Sequence, residues 1–266
     1  MADALERNRT RLGRLASHVV FLPTTGSTND VAWSLAASGG HEGAVVLAET
    51  QTAGRGRRGH AWLSPPRSGL YVSVILTPAR AHSDGARATL LLTLAAGVAL
   101  AEAVEAATAL RVDLKWPNDL FVARRKLGGI LAEGMSTGQD LRGTRIDAVI
   151  LGYGINVGAI AFPPELAARA TSLEIELGRG VDRAQLFAET LAALARRYED
   201  LLDGRFDAIL DAWRSRAPAA RGARVSWTTP SGARNGVTAG IDGQGALLVQ
   251  VGEQLERIIA GELMWL

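Results

Sequence analysis

Hydrophobic and polar positions fall into recognisable periods along most of the chain. His18–Leu22 predicts a short strand. Ser27, Thr28 and Asn29 then lead into Val31, Trp33, Ala36 and Ala37, a capped amphipathic pattern that predicts a helix to about Ala37. Ala44–Ala48 and Gly69–Leu76 read as strands, the second carrying Tyr71, Val72, Val74 and Ile75. The Gly/Arg/Pro-rich stretch between them, Thr50–Ser68, has no period, and a connection of that length inside a compact domain is usually functional. From Ser83 to about Ala107 the chain is apolar nearly all round, which predicts a buried helix.

Arg111–Lys115 and Asp119–Val122 predict two strands around a Trp-Pro-Asn turn, and Leu127–Met135 and Ile146–Val157 two longer ones. Helical periods return at Thr171–Leu177, Arg183–Leu202 and Phe206–Arg216, and Arg216–Gly222 has the composition of a linker. Beyond it, short apolar runs separated by Thr-Pro-Ser-Gly, Asn235-Gly236 and Asp242-Gly243 predict a small β-barrel. A tail of this size is marginal alone, so it should dock on the rest. No internal repeat is present.

Composition narrows the function. The 266 residues, 47% of them hydrophobic, allow one large domain or one large and one small. The greasiest run, Thr89–Leu100, is too short to span a bilayer, and Met1–Ser17 has no signal-type apolar core, so a cytoplasmic protein without a membrane partner is expected. The absence of cysteine excludes disulfides, thiolate ligands and a cysteine nucleophile together, and His18, His41, His60 and His82 lack metal-ligand spacing, so no protein-held metal is expected. A net charge of +2 is too small to argue for nucleic acid. Of the 29 basic residues only Lys115 and Lys126 are lysine. Both stand in one short stretch, which points to positions needing a compact ammonium rather than a planar fork.

Three constellations carry chemistry. Gly54-Arg55-Gly56-Arg57-Arg58-Gly59 matches G-x-G-x-x-G literally, but Trp62 and Pro65-Pro66 follow where a Rossmann helix would have to start, and no Gly-Lys-Ser/Thr makes it a P-loop. What remains is three arginines on a glycine-spaced loop, suited to closing over an anion, and also compatible with a solvated basic surface or a nucleic-acid patch. Ser27-Thr28-Asn29 with Gln51 form a polar set that is either an N-cap alone or a hydrogen-bonding pocket. Lys115-Trp116-Pro117-Asn118-Asp119, followed by Lys126-Leu-Gly128-Gly129, holds a lysine at a strand end beside a rigid turn. There it suits charge stabilisation, while Asn118 and Asp119 could be turn formers only. Gly152-Tyr-Gly154-Ile-Asn156 repeats the Gly-rich theme on another strand.

Taken in order, Ser27-Thr28-Asn29, Gln51 with Ala53–Gly59 and Trp62, Lys115–Asp119, Lys126–Leu131 and Gly152–Asn156 closely resemble biotin protein ligases. The resemblance is strong over Phe21–Val157, and Gly240-Ile-Asp242 and Ala260-Gly-Glu262 look like the family's C-terminal module. It implies an α+β fold: a mixed, largely antiparallel sheet flanked by helices, a class II synthetase-like catalytic domain over 1–218, and a small SH3-like C-terminal β-barrel over 219–266. It implies ATP-dependent activation of biotin to biotinyl-5′-AMP with Mg²⁺, and transfer to a lysine of a biotin carboxyl carrier domain such as that of acetyl-CoA carboxylase.

The implied catalytic residues are Lys115 and Arg57. The implied biotin set is Ser27, Thr28, Asn29, Gln51, Gly54, Arg55, Gly56, Arg57, Lys115, Gly128 and Gly154, and the nucleotide set Arg57, Trp62, Asn118, Lys126 and Asn156. Ligases of this type are often homodimers, though no interface signature is visible. Some carry an N-terminal DNA-binding domain; about 20 residues precede the first predicted strand, too few for one, so no DNA partner is expected. His60 stands where the family pattern calls for another cation. Rival readings are a lipoate or octanoate ligase on the same fold and a non-enzymatic nucleic-acid-binding module. The ureido ring of biotin favours the first reading over lipoate, because its donors and acceptor require partners such as Ser27, Thr28, Asn29 and Gln51.

Overall fold

The computed structural model describes residues 1–39, 41–136, 139–140, 143–144, 148–229 and 232–266. Among the described residues the larger sheet uses β1 (Val19–Leu22), β2 (Val45–Ala48), β3 (Gly69–Leu76), β4 (Asp113–Lys115), β5 (Asp119–Val122) and β6 (Arg125–Met135). A two-stranded ribbon follows, β7 (Gln139–Asp140) and β8 (Gly143–Thr144), before β9 (Ala148–Asn156) completes the larger sheet. The order is β1-β2-β3-β9-β6-β5-β4; β1 and β2 are parallel and every other pair is antiparallel. The mixed sheet flanked by helices is the fold class expected.

The helices are α1 (Ala2–Arg7), α2 (Thr28–Ala37), α3 (Gly85–Thr108), α4 (Pro164–Ala167), α5 (Leu173–Leu177), α6 (Arg183–Leu202) and α7 (Phe206–Arg216). Strand residues alternate between two apolar layers, as the two-residue period requires. Val45, Leu47, Leu70, Val72, Val74, Leu151, Tyr153 and Ile155 join α3, α6 and α7 in the main core. Val46, Ile75 and Ile150 pack with Ala32 of α2 on the opposite face. The central strands β3 and β9 are therefore buried along nearly their whole length, and the face shared with α2 is the one left open beyond that helix.

Polar side chains set several helix starts. Asp84 accepts from Arg87 N ahead of α3, and Asp182 accepts from Ala184 N and Gln185 N ahead of α6. The long helix α3 corrects one expectation: over an 18-residue window its mean hydropathy is 1.8, long and apolar enough to cross a membrane, because alanines carry the apolar character past the leucine run. Within the fold 67% of that window is buried, against α6, α7 and the sheet.

The C-terminal strands β10 (Arg221–Thr229), β11 (Gly232–Ile241), β12 (Leu247–Val251), β13 (Gln254–Ile258) and β14 (Met264–Trp265) form an antiparallel sheet in the order β13-β12-β11-β10-β14. It docks as expected. The Trp116 indole N–H donates to Gly245 O at 2.9 Å, and Arg87 donates to Gly243 O at 3.1 Å.

The structure departs from the sequence pattern in a few places. The linker expected over Arg216–Gly222 is a 3₁₀ turn, Pro218–Ala220, and β10 already begins at Arg221. Asn235-Gly236, read as a turn, lies inside β11 opposite Ser226 and Val225. There the glycine admits a close neighbour, since a Cβ on it would stand 2.5 Å from a Val249 methyl. Asp242-Gly243 is a true turn, with the Asp242 carboxylate accepting from Gln244 N and Ala246 N. Pro230 and Ser231 of the Thr-Pro-Ser-Gly segment, and Ile146 and Asp147 at the start of the strand expected over Ile146–Val157, lie outside the described residues. The short helices α1 and α4 were not anticipated.

Candidate functional site

A cavity of ≈ 660 Å³ opens on the sheet face that carries α2. Its floor follows from register. Gly152, Gly154 and Asn156 alternate with apolar residues, so all three face the same side of β9, opposite Ser73, Tyr71 and Gly69 of β3. Across the other edge Gly129 pairs with Gly154 and Leu131 with Gly152. Missing side chains along this row leave a trough that two others use: a Cβ on Gly152 would stand 2.2 Å from Asn29 Oδ1, and one on Gly154 2.4 Å from Trp62 Nε1.

One end of the trough is polar. Ser27 occupies the N-cap position of α2, yet its hydroxyl makes no cap hydrogen bond and lines the cavity instead. The free helix amide is met from outside: Thr28 N donates to Gln51 Oε1 at 2.8 Å, and the Thr28 hydroxyl donates to the same oxygen at 3.1 Å. Gln51 Nε2 donates to Ser64 Oγ at 3.0 Å. The Asn29 amide is oriented by Ser73 Oγ, 2.5 Å from its oxygen, and by Glu133, which accepts from its nitrogen at 2.5 Å. The interlinked Thr28, Asn29, Gln51 and Ser73 side chains define a fixed hydrogen-bonding template. An N-cap reading alone does not account for these partners.

The arginine loop covers the trough. Gly56 N donates to His60 O and Trp62 N to Gly54 O, and a 3₁₀ turn at Arg57–Gly59 makes the bend. Arg57 reaches inward, donating to Asn118 Oδ1 at 3.1 Å; burial pushes its guanidinium pKa down while Asp119 pulls it back up. Arg55 is engaged elsewhere, in a two-pronged pair with Asp30 of α2 at 2.5 and 2.8 Å. The Trp62 indole N–H is buried and has no hydrogen-bond partner, an unmet donor in a side chain that lines the cavity.

The far wall is cationic. Lys115 ends β4, half-buried, with its ammonium 4.5 Å from the Trp265 ring and 5.3 Å from that of Phe121. Burial pushes its pKa below the ordinary lysine value, opposed chiefly by the charge of Asp119. Asn118 is both turn former and wall: its Nδ2 donates to Ile130 O at 2.7 Å while its oxygen receives Arg57. Lys126 pairs with Asp119 at 2.7 Å and lies 5.7 Å from the Trp62 ring. Asn156 is fixed by donation to Thr171 O at 2.9 Å.

Ser27, Thr28, Asn29, Gln51, Arg55, Gly56, Arg57, Trp62, Lys115, Asn118, Lys126, Gly154 and Asn156 all line this cavity. Two expected residues do not. Gly54 is packed under Trp62 O, and Gly128 faces the opposite side of β6, where a Cβ would stand 2.8 Å from Gly154 O. Each is packed closely against neighbouring backbone beside the site. Sequence reasoning missed Ser73, a fully buried hydroxyl in an apolar strand whose polarity was the available signal. It also missed Glu133, Phe121, Arg124 and Trp265, which only tertiary structure brings near. Among the described residues no cluster of three or more acidic or histidine side chains is arranged to hold a metal ion.

A family model described as the biotin/lipoate A/B protein ligase family matches residues 21–156. The bifunctional ligase/repressor BirA of Bacillus subtilis (strain 168) is 35% identical over 251 residues, 94% of this chain and 74% of that protein. A biotin–[acetyl-CoA-carboxylase] ligase of Paracoccus denitrificans is 35% identical over 236 residues, 86% of this chain and 92% of that one. The solved structure of the biotin protein ligase from Aquifex aeolicus in complex with biotin and ATP superposes with a TM-score of 0.78 at 28% identity, over 94% of this chain and 98% of that chain.

Proposed function

The chain belongs to the biotin/lipoate A/B protein ligase family, and on that premise we propose that it activates biotin with ATP as biotinyl-5′-AMP and transfers the biotinyl group to a lysine of a biotin carboxyl carrier domain. The observation that carries this reading is one cavity with two unlike ends: an ordered hydrogen-bonding template at Ser27–Asn29 and Gln51, and an arginine and a half-buried lysine at Arg57 and Lys115. The template suits a cyclic urea, whose two N–H donors and carbonyl acceptor need partners in a buried site. The cationic end suits a carboxylate meeting a phosphate.

In the first step a biotin carboxylate oxygen attacks the α-phosphorus of ATP, the bond to the bridging oxygen of the β-phosphate breaks, and pyrophosphate leaves. Two anions must be brought together and negative charge moves to the leaving group, so positioning and fixed positive charge do most of the work. Lys115 faces the junction as a point charge and Arg57 closes over it from the loop. In the second step the neutral amine of the acceptor lysine attacks the acyl carbon and AMP leaves, with no protein nucleophile needed. Magnesium would enter on the phosphates of ATP, which commonly bind it with only one or two protein carboxylates. Asp119 offers one on the cavity wall, its carboxylate held by Lys126 at 2.7 Å. The ion would neutralise charge developing on pyrophosphate.

Biotin and lipoate offered separately in an ATP–pyrophosphate exchange assay test the reading. Biotin is expected to support exchange at least about 10²-fold better than lipoate or octanoate, because a dithiolane or alkyl chain leaves the polar template unpaired. Equal or better exchange with lipoate would refute biotin as the substrate. Acetyl-CoA-carboxylase ligases among the relatives support a carrier domain of that kind as acceptor, and transfer of labelled biotin to a purified carrier domain is the matching assay. The loop reading has its own test. Biotin with ATP is expected to slow protease cleavage within Thr50–Ser68 severalfold, and unchanged cleavage would argue against closure.

A further inference from the structure

The cations of the cavity differ in what they face. Lys126 has Asp119, Arg55 has Asp30, and Arg57 has the Asn118 amide. Among the described residues no carboxylate stands within ion-pair distance of the Lys115 ammonium; aromatic rings stand there instead. Trp265 lies closest, its ring tilted 59° against that of Phe121 at a centroid separation of 4.9 Å, and the Arg124 guanidinium lies 5.0 Å from the same indole. The indole is held from a different sheet. Strand β14 pairs with β10 through Val225 and Trp265, and Leu266 N donates to Arg224 O at 3.0 Å. Phe121 comes from β5, opposite Asp113.

We propose that Trp265 is a positioning residue for adenylation: with Phe121 it holds the Lys115 ammonium by cation–π attraction, out of reach of protein carboxylates, so that its charge is left for the incoming carboxylate and phosphate. This rests on the ligase reading. It explains why the last strand of the C-terminal sheet forms part of the cavity wall. The ring attracts a cation as a carboxylate would, but it offers no oxygen that competes with the substrate. Four charged groups act on Lys115: Asp119 and Glu262 favour its protonated form, while Lys126 and Arg124 oppose it. Burial, the largest influence, also works against the proton. Attraction to the ring favours the charged ammonium, so apolar bulk in place of the indole keeps the burial and removes that support: the Lys115 pKa falls further, and the alkaline limb of activity, where this ammonium is lost, moves to lower pH.

The test compares W265F, W265L and W265A in the whole chain by biotin-dependent pyrophosphate exchange across a pH series, with thermal melts of each. Active wild-type protein is required first, and its failure with biotin would count against the ligase reading itself. W265L and W265A are expected to lower kcat by roughly tenfold and change the KM for biotin far less, and in W265L the alkaline limb shifts downward. W265F should retain most of the activity. In a Lys115→Ala background, W265L should cost little more. If W265A melts at the assay temperature, W265L carries the test, since it keeps apolar bulk without a π face. Unaltered kcat in W265L, a loss without movement of the limb, a W265F as impaired as W265L, or full additivity with Lys115→Ala would each overturn the proposal.

Discussion

Lys115→Ala is expected to reduce biotin-dependent pyrophosphate exchange by about 10²–10³-fold while the fold survives. The ammonium is half-buried at a strand end and, among the described residues, has no carboxylate within ion-pair distance, so its removal orphans no buried anion there. On the proposed adenylation, what is lost is charge placed where the reacting oxygens meet, an interaction whose worth rises in a desolvated site. Lys115→Arg should restore little, because a planar fork cannot sit against two rings and also present a compact charge. Circular dichroism and a thermal melt separate this from misfolding. A variant that labels a carrier domain at the normal rate would show that the lysine has been assigned wrongly.

The second large effect is steric. Gly154→Val is expected to weaken biotin binding by roughly 10- to 100-fold, from an overpacking cost of about 1–3 kcal/mol. A side chain there meets Trp62 at 2.4 to 2.8 Å across Nε1, Cε2 and Cζ2, a rigid indole and not the tip of a flexible chain. The backbone cannot withdraw, being paired to Tyr71 on one side and Gly129 on the other. Trp62 must leave the trough and take the end of the arginine loop with it. Calorimetric titration with biotin measures the outcome, and Gly180→Ala, with nothing nearer than 3.9 Å, is a neutral control. Unchanged biotin affinity in Gly154→Val would mean that the seating of Trp62 does not matter to the pocket.

Much of this architecture is legible in the sequence because its elements are locally determined. Arg183–Leu202 and Phe206–Arg216 are helices over the spans their period predicts, and Gly69–Leu76 is a strand over its whole predicted length. The polar triplet at 27–29, the loop glycines and the lysine turn could be found because unusual residues cluster there. Contributions made across long sequence distances could not be found that way. Glu133 matters through Asn29, 104 positions away, and Trp265 matters because a separate sheet folds back on β4 and β5. Asn235-Gly236 misled for a related reason: the dipeptide has a strong turn preference, and the close approach of a neighbouring strand, through the Val249 side chain and the Gln250 carbonyl, explains the glycine. Arg55 was expected to face biotin with the rest of its loop, and helix α2 supplies Asp30 at its fingertips.

The arginine connector is fastened at two points by forces of different origin. Near its start Arg55 clasps Asp30 where water reaches both side chains; near its end the partly buried Trp62 is wedged over Gly154. Dissolved salt screens the first fastening and barely touches the second, whereas cooling loosens the second through its apolar contact and spares the first. Ionic strength and temperature are thus independent handles on the fastenings at opposite ends of one loop.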